Sequence, residues 1–193
     1  MFSLRNIVLL TVFVIIVAAC DGGPEGSDGQ RVIPDIDSLM SIGADARGQV
    51  RKTSVLNGAT STGHYAAGEA FKEELEVFRS VESMNLPVHR DHYRMTNGQD
   101  QNSNLTVTRW VALDSAAPVR SLRLFRRDGE TAVLRLEAEI VNNGFFFTKS
   151  ERLLVDFDAW NGRPEHYTVI GRQRIAWLKE DGYAVNAEIE YIK

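Results

Sequence analysis

Leu134-Arg-Leu-Glu-Ala-Glu-Ile140 decides the fold class. Its apolar residues, Leu134, Leu136, Ala138 and Ile140, fall at every second position between Arg135, Glu137 and Glu139. A period of two sends the apolar set to one side of a strand and the charged set to the other. The segment therefore reads as a strand with one face on a core and one in water. Leu105, Val107, Val111 and Leu113 repeat the pattern against Thr106, Thr108, Trp110 and Ala112. Tyr183, Val185, Ala187, Ile189 and Tyr191 repeat it against Ala184, Asn186, Glu188 and Glu190.

Asn97-Gly98, Asp128-Gly129, Asn143-Gly144, Asn161-Gly162 and Asp181-Gly182 punctuate this half of the chain. Such dipeptides tolerate positive φ and favour tight hairpins. Together the signals predict an antiparallel meander of about seven strands, near 88–96, 104–113, 119–127, 131–141, 145–157, 165–178 and 183–192. Upstream the period is helical. Ile36, Leu39, Met40, Gly43, Ala46 and Val50 recur at three- and four-residue steps after Pro34 and a capping Asp35. A polar loop over 57–63 follows. From Tyr65 to Met84, Phe71, Leu75 and Phe78 form one stripe, with Val77, Val81 and Met84 beside it, and Pro87 ends the run. The expected architecture is α+β: two N-terminal helices packed on a strongly curved meander sheet, with a closed barrel as the alternative.

The N-terminus has a different character. Ile7 to Ala19 is apolar except for Thr11, and Arg5 precedes it. That run has the length of a secretory h-region and falls short of the roughly 20 residues a spanning helix needs. Val17-Ala18-Ala19-Cys20 closes it, and Cys20 is the only cysteine among 193 residues. This segment resembles a bacterial lipoprotein signal peptide ending in a lipobox. The resemblance implies that residues 1–19 are removed, Cys20 is lipidated, and the protein is held extracytoplasmically at the cell envelope. Asp21 to Gln30 is rich in Gly and acidic residues, with nothing apolar to bury, and reads as a flexible tether. Residues 31–193 then form a single globular domain. A second likeness rests on Glu73-Glu-Leu-Glu-Val-Phe-Arg-Ser80, Asn85-Leu-Pro87, Asn143-Gly-Phe-Phe146 and Tyr167-Thr-Val-Ile-Gly-Arg-Gln173. These stretches look like those of uncharacterised β-rich envelope lipoproteins, which implies a shared fold and no activity. Envelope carriers that shelter acyl chains under a helix-lined sheet offer an architectural analogy.

Composition narrows the function. Loss of Arg5 takes the formal charge from −4 to about −5, which argues against a nucleic-acid partner. A sole cysteine excludes an internal disulfide framework. No phosphate loop, nucleophile elbow, His-Glu-x-x-His or EF-hand pattern occurs, and no cofactor is implied. His89 and His92 stand three apart, so on a strand they point to opposite faces and cannot share an ion. The pairs Glu137/Glu139 and Asp156/Asp158 have arginines nearby on their faces, as on a solvated sheet surface. Arg172 and Arg174 share a face, which suits an anion contact or plain surface. Phe145-Phe146-Phe147 follows a turn, and alternation forces at least one ring off the core face. Either both sides of that strand are buried, or the rings form an exposed edge for lipid, a hydrophobic ligand or a partner. The expectation is a non-enzymatic, lipid-anchored envelope protein. It binds a hydrophobic ligand or an envelope protein, with Phe145, Phe146 and Phe147 as contacts. A scaffolding role in an envelope complex is the alternative.

Overall fold

The computed structural model describes residues 31–41, 48–66, 75–178 and 180–191. They form nine strands in one antiparallel sheet: β1 Gly48–Leu56, β2 Ala59–Ala66, β3 Tyr93–Gln99, β4 Leu105–Ala112, β5 Val119–Arg127, β6 Val133–Asn143, β7 Phe147–Phe157, β8 Pro164–Ile175 and β9 Asp181–Tyr191. The spatial order is β2-β1-β9-β8-β7-β6-β5-β4-β3. From β3 to β9 each strand pairs with the next in sequence, which is the meander that the alternation and the turn dipeptides predict. The N-terminal hairpin then adds to the far side of β9. The order leaves β2 and β3 as edges, unpaired with one another.

Two features depart from the sequence-based expectation. Helix α1 is Ile36–Ser41, and Gly48–Leu56, into which the expected first helix ran, is a strand that buries Val50 in the core; Gly43 and Ala46 lie outside the described residues. The loop expected over 57–63 is a two-residue turn and the start of β2. Asn57 and Gly58 both take positive φ, 50° and 86°, the geometry of a type I′ hairpin. The fold is thus β-rich with little helix, rather than two helices on seven strands. The second helical stripe survives in shortened form: residues 75–79 are α-helical and run into a 3-10 helix, Ser80–Asn85. Phe71 and the signal, Cys20 and tether segments lie outside the described residues.

One face of the sheet is covered by these helical pieces. Leu75, Phe78, Val81 and Met84 are buried on Leu122, Leu124, Leu136, Ile140, Leu153 and Val155. Phe78 meets Tyr167 edge to face, with centroids 6.2 Å apart. Burying each such side chain contributes about 1.5–3 kcal/mol, so the covered face is the principal source of stability. Asn85 joins the chain entry to this layer: its Oδ1 accepts from Val32 N at 2.9 Å and Ile33 N at 3.1 Å. Glu82 accepts from Ile36 N, and Asp35 caps α1 through Ser38 N at 3.0 Å. The other face is open and charged. Arg135 pairs with Asp156 at 2.5 Å, Arg123 with Glu137 at 2.5 Å, and Arg51 with Glu188.

Candidate functional site

Glu151 is the buried charged residue of the described chain, 6 % exposed on the covered face of β7. Register explains how it is accommodated. Glu151 lies opposite Gly171 on β8, and Gly171 lies opposite Tyr183 on β9. A Cβ at Gly171 would overlap the Tyr183 ring, so the bare glycine lets that ring cross β8. The Tyr183 hydroxyl then donates to Glu151 Oε1, and Lys149 Nζ stands 3.0 Å from the same oxygen. Burial, and then the bond to Glu151, push the Tyr183 phenol well above its ordinary value. It stays a protonated donor. A phenol so shifted is a weaker nucleophile, suited to holding a carboxylate rather than attacking a substrate.

This group edges a cleft of about 210 Å³ between the helical segment and the sheet. Val77, Tyr167, Val169 and Val185 supply apolar wall, and Lys52, Glu151 and Tyr183 supply polar groups. Two larger hollows, about 390 and 280 Å³, lie over the charged side chains of β5 to β8 and share Glu139 and Arg152. Their lining is mixed, with Leu154 and Ile170 among Arg123, Glu137, Glu139, Arg152 and Arg172.

Phe147, Lys149 and Glu151 share the covered face of β7, by alternation. Phe147 marks the sheet end nearer Glu151, about 13 Å away at strand rise. That end carries the β1–β2, β4–β5, β6–β7 and β8–β9 connections. It gathers Leu56, Leu113, Phe145, Phe146, Phe147, Trp177 and Leu178, seven of the twelve large apolar side chains exposed among the described residues. Phe145 is 92 % exposed, Phe146 53 % and Trp177 74 %. Phe145 and Phe146 pack edge to face at 4.5 Å, and Phe146 reaches Trp177 at 5.6 Å. Backbone bonds fix the two turns to each other: Gly144 N to Phe147 O and Ala176 N to Phe146 O, both 2.8 Å.

The aromatic triplet is therefore exposed, not buried on both sides. Trp110 is buried on the covered face, so on β4 the core side is that of Trp110, and Val107 and Val111 take the open side. His89 and His92 lie at and within a 3-10 helix, Arg90–His92, not on a strand. In that helix residues three apart eclipse, which brings the rings to 6.0 Å. No third side chain joins them in a metal-binding group among the described residues. The two carboxylate pairs do not meet each other: Glu137 and Asp156 each pair with an arginine, and Asp158 meets Glu165. Sequence inspection missed the Glu151–Gly171–Tyr183 row. Its signal was a charged residue at a core-parity position facing a strand glycine, visible only once register is known. Compared with known proteins, the chain matches no family model, no curated protein and no solved structure.

Proposed function

We propose that this chain is a non-enzymatic, lipid-anchored envelope protein that binds an amphiphile with a hydrocarbon portion and an anionic head. The observation that carries the ligand is the cleft, where apolar walls surround a buried charged group. Lys52 lines the cleft and Lys149 pairs with Glu151 at its edge, so cationic groups stand beside the apolar walls where an anionic head would lie. The valine walls suit the first methylenes of a chain, each worth about 0.8 kcal/mol when buried. The resemblance of Val17-Ala18-Ala19-Cys20 to a lipobox supports the anchor.

A fluorescent fatty-acid analogue tests the ligand. Wild-type protein should bind it saturably, and Val185→Trp, which fills the cleft, should abolish binding while the protein stays folded by circular dichroism. Undiminished binding to Val185→Trp would sink the assignment. The anchor is tested separately, by detergent partitioning and mass of the mature N-terminus against Cys20→Ala. The scaffolding alternative draws on the two sheet edges. Seven of the eight residues of β2 and six of the seven of β3 are exposed, as strand addition by a protein would require.

A further inference from the structure

We infer that the sheet end formed by the β6–β7 and β8–β9 turns docks on the surface of a phospholipid bilayer. This rests on the envelope location proposed above and adds an orientation to it. Phe145, Phe146 and Trp177 are exposed yet held in place by their mutual packing and the cross-turn backbone bonds. An aromatic cluster already fixed in its exposed arrangement loses little further freedom on insertion. Phenylalanine gains from the acyl boundary, and tryptophan favours the headgroup level. The opposite end of the sheet has nothing comparable: Trp160, in the β7–β8 turn, is 93 % exposed and has no aromatic neighbour among the described residues.

Charge selects lipid over a second protein. Arg172 and Arg174 lie on the open face of β8, close behind the aromatic turns, exposed and in no ion pair among the described residues. Farther from this end Arg135 and Arg51 are paired, while Arg109 and Arg152 are exposed and likewise in no ion pair among the described residues. Unpaired guanidiniums just behind an aromatic tip fit the phosphate layer above an acyl boundary. Glu180 and Asp181, exposed beside Trp177, oppose deep entry and limit docking to the turn tips. The tether length agrees. Twelve residues from Cys20 to Val32 span at most about 40 Å, so an anchored domain samples the bilayer at high effective concentration.

The test uses the full, lipidated chain in phosphatidylcholine–phosphatidylglycerol vesicles carrying acyl-brominated lipid. Trp160→Phe leaves Trp177 as the exposed reporter at the aromatic end, and Trp177→Phe leaves Trp160 at the other. Quenching is expected in the first chain and absent in the second. Phe145→Ser/Phe146→Ser should remove it. Arg172→Gln/Arg174→Gln should reduce Trp177 quenching in anionic vesicles and leave it unchanged in vesicles of phosphatidylcholine alone. Equal quenching of both reporters, or none, overturns the docking. Sedimentation then shows whether the same aromatic residues instead drive self-association, which also overturns it. A chain that fails to float with vesicles defeats the anchor instead. Quenching of Trp177 on adding vesicles to that chain still judges the docking.

Discussion

The ring of Tyr183 occupies the space that Gly171 leaves without a side chain, and through that space its hydroxyl reaches Glu151 one strand further on. A methyl group at residue 171 would displace the ring and strand a buried carboxylate. Gly171→Ala should therefore cost about 1–3 kcal/mol in urea denaturation. In a Tyr183→Ala background, where the clash is gone, the same substitution should cost much less. Additive costs would show that the two residues are not coupled.

Alkaline pH should erode stability. Burial raises the Tyr191 phenol from 10.0 to about 12, and its hydroxyl donates to Pro164 O at 2.7 Å. Tyr183 is shifted in the same direction. Between pH 10 and 12 the unfolded chain releases these protons while the folded chain keeps them. The stabilisation is complete below pH 10 and is lost as pH rises toward the folded values. Denaturation midpoints should fall from about pH 9 to about pH 11, and less steeply in Tyr191→Phe. An unchanged slope in that variant would contradict the assignment.

Phe78 is the helical layer's contact with the sheet at Tyr167. Phe78→Ala should destabilise by about 3–5 kcal/mol, the range for a buried aromatic truncated to a methyl. Denaturant midpoints measure it. A loss under about 1 kcal/mol would mean that the helical layer adds little to the core.

Asn85 should act on the chain entry more than on the sheet. Asn85→Ala removes the acceptor for Val32 N and Ile33 N, and also the donor to Glu82 Oε2 at 2.7 Å. Hydrogen exchange at residues 32–36 should accelerate while amides of β6 to β8 stay protected. Uniform acceleration would mean that the clamp belongs to the global core.

Much of the sheet was legible because its strands are half-buried. Along β6 from Arg135 to Ile140 charged and apolar residues alternate cleanly, and the expected bounds 119–127 match β5. The N-terminal hairpin was illegible for the converse reason. Val50 is fully buried, but most of β1 and nearly all of β2 is partly or fully exposed, and residues such as Lys52, Thr53 and Thr62 carry no apolar period. Val50 also fell by chance into register with the helical spacing of Ile36, Leu39 and Met40. The turn dipeptides worked where the loop was short. Gly129 and Gly162 take positive φ, whereas Gly98 and Gly182 lie within strands. Of the site, Phe145 to Phe147 could be singled out because three rings cannot share one face. Trp177 and Tyr183 could not, since only register brings them to Phe146 and Glu151.

Strand β9, the last in the described chain, sits between β8 and β1 in the interior of the sheet. Arg51 and Glu188, paired across that seam, are 137 positions apart. The first hairpin therefore has no native neighbour until the final strand has been made. Closing this seam is the long-range step of folding, whereas β3 to β9 pair with their neighbours in sequence. A chain truncated before β9 would be left with two raw edges, on β1 and β8, in place of a seam. The order of strands thus makes β9 a condition of seating the first hairpin.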